Sequence, residues 1–236
     1  SKLKVIGVTG TDGKTTVSNL IYQILNQAGK KVGLVTTIGA KIGKKAFDTG
    51  FHVTSPDSVS LQKILKDMVK NKCEFAVIEV TSHGLDQERF AGVEFDTAVL
   101  TNITHEHLDY HKTWEKYRET KGLLFQSVKT ASILNKDDSS YDYISAVLPY
   151  NSQLISYGIA KKDATIYAQN IRDLDTNTIF EVVDGTIAFT LTPKLLGEFN
   201  VLNILASLGA AKVYGIDVDD IKKAIFAFKS PKGRLE

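Results

Sequence analysis

Three features of this 236-residue sequence predict an α/β fold: a doubly wound, mostly parallel sheet with a P-loop and a small antiparallel β insert. Short apolar runs at 4–9 (KVIGVT), 75–80 (FAVIEV), 96–102 (DTAVLTN) and 131–135 (ASILN) lack strict alternation, as strands covered on both faces do. Stretches of helical periodicity separate several of these runs, the pattern of βαβ units. A glycine-rich turn joins the first run to the first helix, the place where such folds bind anions.

In chain order, the strand at 4–9 leads into a helix from about Lys14 to Ala28, whose Val17, Leu20, Ile21, Ile24 and Leu25 share one face and which Gly29 stops. KVGLVTTIG (31–39) reads as the next strand, and Pro56-Asp57 opens a helix carrying Val59, Leu61, Ile64, Leu65 and Met68. The runs at 75–80 and 96–102 follow, then a helix over 113–128 and the strand at 131–135. After about residue 150 the pattern changes. Segments 153–157, 164–170, 178–183 and 186–191 read as an antiparallel insert spanning about 151–192, with Asp184-Gly185 as a hairpin turn. Helices at roughly 200–213 and 217–228 complete one domain, 1–229. The chain enters a strand at once without an initiator Met and stops after Ser-Pro-Lys-Gly, so 230–236 is expected to begin a linker in a longer protein.

Apolar residues make up 43% and charged residues 24% of the chain, an ordinary globular composition. A net charge of +2, from 29 basic and 27 acidic residues, gives no electrostatic case for nucleic acid. Cys73 is the single cysteine, which excludes an intrachain disulfide and a cysteine-rich zinc site and points to a reducing, cytoplasmic setting. No apolar run approaches the roughly 18–20 residues of a membrane span.

The stretch GVTGTDGKTT (7–16) lies between strand and helix, where backbone N–H groups and a helix N-terminus can cradle polyphosphate. Gly10 and Gly13 permit the tight loop, Lys14 would reach the β- and γ-phosphates, and the Thr15 hydroxyl would hold Mg²⁺. Val8 stands where the strict pattern has its first glycine. Asp12 is anomalous there, since a carboxylate repels phosphate; it is expected to face away and cap the loop. Asn135-Lys136-Asp137-Asp138 matches a guanine-reading pattern, but no Asp in the chain is followed three positions later by Gly, so the second GTPase motif is absent.

TNITHEHLDYHK (101–112) holds His105, His107 and His111. A dizinc hydrolase site would need further histidines downstream, and there are none; Tyr110 also separates Asp109 from His111. His105 and His111 then read as a loop residue and a polar residue near the next helix start. One histidine could still complete a Mg²⁺ site with Glu79, at the C-terminal end of a buried strand, where a carboxylate without a function is costly. In the helix at 113–128, Trp114, Tyr117, Leu124 and Val128 form a buried stripe whose missing position is Lys121. Its stem could snorkel. Alternatively, a buried lysine of depressed pKa could react with CO₂, becoming a carbamate that ligates Mg²⁺.

The loop, Glu79, His107 and Lys121, together with TSPDSVSLQ (54–62), EVTSHGLDQERF (79–90), NITHEHLDYH (102–111), YRETK (117–121), GEFNVLN (197–203) and GRLE (233–236), resemble the central domain of the Mur ligases, the ATP-dependent enzymes of peptidoglycan precursor synthesis. The match is to their tripeptide-synthetase branch and covers essentially the whole chain. The resemblance implies ATP and two Mg²⁺ ions, with Gly10, Thr11, Gly13, Lys14, Thr15, Thr16 and Asn102 around the phosphates. It further implies Asn200 and Asn203 near the base, Arg234 near the ribose or phosphates, and Thr54, Ser55, Thr81, Gln87 and Arg89 on the UDP-linked acceptor. One metal would lie on Thr15 and Glu79, the second on His107 and a carbamylated Lys121. The implied reaction joins an amino acid to UDP-N-acetylmuramoyl-L-alanyl-D-glutamate through an acyl phosphate. Partner domains at both ends would grip the uridine group and close on ATP, so the segment alone should not ligate. Asp12 and Glu106 replace the family's commoner Asn and Asp. A sister ligase on another glutamyl-type acceptor and a non-catalytic nucleotide-binding module remain alternatives.

Overall fold

The structure is a computed structural model that describes residues 3–43, 45–47, 55–106 and 108–230, with backbone only at 45–47 and 108. In chain order it comprises β1 (Lys4–Thr9), α1 (Lys14–Gln27), β2 (Val32–Thr36), β3 (Gly39–Ile42), β4 (Lys45–Phe47), α2 (Ser58–Lys70), β5 (Phe75–Glu79) and α3 (Ser82–Asp86). Next come β6 (Thr97–Leu100), α4 (Leu108–His111), α5 (Trp114–Gly122), β7 (Ala131–Asn135), α6 (Tyr141–Ala146) and β8 (Gln153–Gly158). The chain continues through β9 (Ile166–Asp173), β10 (Thr178–Asp184), β11 (Ile187–Leu191), α7 (Glu198–Val213) and α8 (Val218–Ala227).

One continuous eleven-stranded sheet runs β11-β10-β9-β8-β7-β6-β1-β5-β2-β3-β4. Pairing is parallel from β2 across to β9 and antiparallel in the two wings, β9-β10-β11 and β2-β3-β4. Alternate strand residues serve the two faces. Ile6, Val8, Leu34, Val77, Val99 and Ile133 pack on α1, α7 and α8. Val5, Val35, Ala76, Ile78, Leu100 and Leu134 pack with Leu61 and Met68 of α2, Tyr117 of α5 and Ile144 of α6. Burying both faces removes apolar area from water at roughly 25 cal/mol per Å², which is why these runs carry almost no polar residues.

The expected fold class is present, with local differences. The strand read over 31–39 ends at Thr36. Thr36 Oγ1 accepts from Ile38 N (3.3 Å) and donates to the Gly39 carbonyl (3.2 Å), turning the chain into β3. The insert does not begin antiparallel: β8 lies parallel to β7, because α6 supplies the crossover such a connection needs, and β9 joins β8 in parallel over two residues. The helix read over 113–128 stops at Gly122, after which Leu124 N bonds to the Lys121 carbonyl (3.3 Å) and Phe125 N to that of Gly122 (2.9 Å). The stripe survives the break: Tyr117, Lys121, Leu124 and Val128 are all buried and Trp114 is half-buried.

The chain leaves β1 toward one face through α1 and leaves β6 toward the other through α4 and α5. A crevice therefore opens at the C-terminal ends of β1 and β6, the switch point where open α/β sheets bind ligands. Among the described residues no helix is long and apolar enough to cross a membrane.

Candidate functional site

Two loops meet in this crevice, Gly10–Gly13 after β1 and 101–106 after β6. Thr11 N donates to the Asn102 carbonyl (2.8 Å), Asp12 N to Asn102 Oδ1 (2.9 Å), and Thr101 Oγ1 to the Asp12 carbonyl (2.6 Å). The glycines are required by contact as well as by backbone angle. A Cβ on Gly10 (φ 149°) would lie 1.8 Å from Thr101 Oγ1, and one on Gly13 (φ 78°) 2.1 Å from Asn203 Oδ1. Gly13 caps α1 without a side-chain hydrogen bond, and the first turn of α1 carries no acid. The helix thus presents its first N–H groups and the positive end of its dipole to the loop. Lys14 Nζ bends back to the Thr11 carbonyl (2.6 Å). Thr11, Asp12, Gly13, Lys14, Thr15 and Thr16 enclose a small cavity with Glu79. Beside it lies a cleft of about 550 Å³ lined by Gly13, Thr16, Asn102, Phe199, Asn200 and Asn203, among others.

Glu79 closes the small cavity from β5 and is 2% exposed. Its Oε2 accepts from Thr15 Oγ1 (3.0 Å) and from Thr37 N (3.2 Å), while Oε1 takes no hydrogen bond from the described residues. Lys121 enters from α5 and is 1% exposed. Its Nζ donates to the Gly10 carbonyl (2.7 Å) and lies 4.5 Å from the centre of the Tyr117 ring. Burial holds its pKa well below the ordinary lysine value, and the Lys14 ammonium pushes the same way against the weaker pull of Asp12 and Glu79. The amine is therefore readily neutral, which is the form that attacks CO₂.

These groups fit a triphosphate with a divalent cation: a backbone cradle that a Cβ on Gly10 or Gly13 would fill, a buried carboxylate beside a threonine hydroxyl, and a buried lysine over the loop. Among the described residues no group of three or more His, Cys, Asp or Glu side chains could hold a metal alone. His107, Arg234 and Thr54 lie outside the described residues.

The other histidines divide. His105 is an exposed loop residue stacked on Trp114 at 5.6 Å, as expected. His111, expected to be an unremarkable polar residue, is buried; its Nε2 lies 3.0 Å from Ser82 Oγ and its ring 5.1 Å from that of Tyr117. Tyr117 in turn shares a hydrogen bond with Thr11 Oγ1 (3.2 Å), and burial raises its pKa to about 12. This chain of contacts ties α3 to the phosphate loop.

Four of the five expected acceptor residues, Ser55, Thr81, Gln87 and Arg89, also converge. Ser55 Oγ pairs with Thr81 Oγ1 (2.9 Å), and Thr81 caps α3 by accepting from Gly84 N (3.1 Å). Arg89 donates to the Ser55 carbonyl (2.6 Å) and to Gln87 Oε1 (2.9 Å). Gln87 donates to the Tyr110 hydroxyl (3.4 Å), which donates to Asp86 Oδ2 (2.7 Å). Sequence reasoning missed Tyr110 and Asp86; only their positions inside quoted motifs mark them. It also missed Thr101, which clamps the loop, and Phe199, half-exposed in the cleft. The guanine-reading motif is consumed structurally. Asn135 donates to the Thr101 carbonyl (3.1 Å), Asp138 accepts from Ile103 N (2.9 Å), and Asp137 caps Ala160 N (3.1 Å) and Lys161 N (2.9 Å).

A doubly wound sheet with a phosphate-type loop, a carboxylate on the adjacent strand end and a buried lysine over the loop defines a P-loop α/β domain of a specialised kind. Residues 8–211 match the model of the Mur ligase middle domain. The chain belongs to that family. It is 40% identical over 240 residues to the UDP-N-acetylmuramoyl-L-alanyl-D-glutamate--2,6-diaminopimelate ligase of Halalkalibacterium halodurans, covering 99% of this chain and 48% of that protein. To the ligase of the same name from Clostridium botulinum it is 40% identical over 238 residues, covering 99% and 47%. A solved structure of a protein with that name superposes with a TM-score of 0.92 at 31% identity, covering all of this chain and 48% of the other. The chain spans about half the length of the curated relatives it matches.

Proposed function

We propose that this chain is the central domain (1–229, with 230–236 leading into a linker) of a cytoplasmic, ATP-dependent acid–amino-acid ligase. The full protein would extend UDP-N-acetylmuramoyl-L-alanyl-D-glutamate by one amino acid through an acyl phosphate, with domains outside this segment completing both substrate sites. The observation that carries the reading is Lys121, buried to 1% exposure and held on the Gly10 carbonyl beside the Thr15–Glu79 pair. Burying an amine there is costly and brings no packing advantage over an aliphatic residue, so chemistry is the better account.

In this reading Gly10, Thr11, Gly13, Lys14, Thr15, Thr16 and Asn102 surround the triphosphate. Asn200 and Asn203 border the base in the neighbouring cleft, and Arg234 would contact the ribose or phosphates. Thr15 and Glu79 would hold one Mg²⁺, and His107 with carbamylated Lys121 the other. Bound Mg²⁺ supplies charge neutralisation that lets the acceptor carboxylate approach the γ-phosphate. The α1 N-terminus and Lys14 add fixed positive charge, set in place before the ligand arrives. Thr54, Ser55, Thr81, Gln87 and Arg89 would orient the acceptor. The buried lone Cys73 and the balanced charge support a reducing location and no nucleic-acid partner.

The test uses the full natural chain with UDP-dipeptide, ATP, Mg²⁺ and a panel of amino acids. ADP release should require both the acceptor and one amino acid. Lys121→Ala should abolish it and be partly rescued by short carboxylic acids. Undiminished turnover in Lys121→Ala would sink the reading.

A further inference from the structure

Asp12 has the wrong charge for its surroundings. It lines both the 550 Å³ cleft and the small cavity shared by Lys14, Thr15 and Glu79. Its backbone is fixed from two neighbouring residues: N–H to Asn102 Oδ1 at 2.9 Å, and carbonyl from Thr101 Oγ1 at 2.6 Å and Asn102 Nδ2 at 3.4 Å. The residue is exposed, and none of these bonds involves its carboxylate. An aspartate in a tight loop ordinarily caps a nearby N–H. Asp12 caps none among the described residues, which corrects the expectation from sequence that it caps the loop and leaves turn chemistry unable to explain it. Its negative charge is felt across the site, raising the pKa of Lys121 against burial and adding to the rise at Tyr117.

We propose that Asp12 makes this site selective for the metal complex of a nucleoside triphosphate over the metal-free triphosphate. The inference rests on reading the loop as a triphosphate site. A bare polyphosphate brings like charge to the carboxylate of a residue whose backbone is fixed at the cavity wall. At about 4 Å in water that repulsion weakens binding roughly fivefold, and more where solvent is partly excluded. The metal complex carries far less negative charge and presents a cation that the carboxylate attracts, directly or through its water shell. Asp12 thus acts as an electrostatic filter on the form of nucleotide admitted, separate from Thr15 and Glu79, which would hold the ion itself.

The experiment is calorimetric titration of the full natural chain with the non-hydrolysable triphosphate AMP-PNP, once in EDTA and once in excess Mg²⁺, at constant ionic strength. Asp12→Asn, isosteric at an exposed position, should tighten metal-free binding roughly fivefold and leave the Mg²⁺ complex within about twofold. Asp12→Glu should keep the wild-type preference. Equal effects on both forms, no effect of Asp12→Asn, or an Asp12→Glu protein that behaves like Asp12→Asn would overturn the filter while leaving the triphosphate reading intact. Failure of all three proteins to bind either form would overturn that reading together with the filter.

Discussion

On the phosphate side of the crevice, Glu79 and Lys121 are 2% and 1% exposed and each leans on the backbone of a neighbouring loop. On the proposed acceptor side, Asp86 and Gln87 are exposed and Arg89 half-buried, and the polar groups run in a chain of mutual hydrogen bonds from Ser55 to Asp86. The first arrangement holds ionisable groups out of water with few partners. The second is satisfied as it stands, and each bond can be exchanged for one to a ligand at a cost of only about 1 kcal/mol. In the proposed function, that difference would separate a place where charge is neutralised in a reaction from a place where a large polar molecule is gripped.

The strongest way to break this comparison is Lys121→Met. Turnover of the full protein should fall by at least about 10³-fold, while far-UV circular dichroism stays that of the wild type. A pH series on the nucleotide-free proteins sharpens the point. The folded-state pKa of Lys121 lies below its unfolded value, so folding releases a proton at intermediate pH. Its contribution to stability is therefore full above about pH 10.5 and is lost as pH falls toward the folded-state value. Wild type should gain stability relative to Lys121→Met as pH rises from neutrality toward that limit. Parallel curves would mean that the lysine is not held neutral.

Glu79→Gln comes next. Mn²⁺ binding, followed by its paramagnetic signal with nucleotide present, should weaken at least tenfold, on the order of the 10–100-fold seen when a metal site loses a supporting group. On the acceptor side the effects should be smaller and of another kind. Arg89→Ala should raise the acceptor KM about tenfold with kcat within about twofold, because a charged hydrogen bond to the ligand is lost in ground and transition states alike. A kcat collapse there would erase the distinction between the two sides. Tyr110→Phe removes only the exposed bonds to Asp86 and Gln87 and should shift urea unfolding by about 0.5 kcal/mol or less.

Most of the phosphate side was legible in the sequence because its constraints are local. Glycines at 10 and 13 announce a close-packed turn, a carboxylate ending an apolar strand announces a buried charge, and a lysine in a stripe of aromatic and aliphatic residues announces an inward amine. The cluster proposed to hold the acceptor was marked only by family resemblance, since Ser55, Thr81, Gln87 and Arg89 share no periodicity and meet through loop geometry. The same limit explains the misplaced insert: a short apolar run such as 153–158 says that it is a strand but not in which direction its neighbour runs. His111 was misjudged because part of its burial comes from α3, whose Ser82 lies 29 residues earlier in the chain.

The central place of β1 has a consequence for how the protein is made. Within this segment β1 is translated before its hydrogen-bonding partners β5 and β6, so it waits unpaired until Phe75–Glu79 have followed and half-paired until Thr97–Leu100 have. The phosphate loop waits longer, since Thr101, Asn102 and Thr104 are the groups that shape it. At about 5–20 residues per second this leaves the apolar strand and its glycine-rich loop open for several seconds on the ribosome. Slowing translation before residue 104 should expose it to chaperones, whereas slowing it afterwards should not.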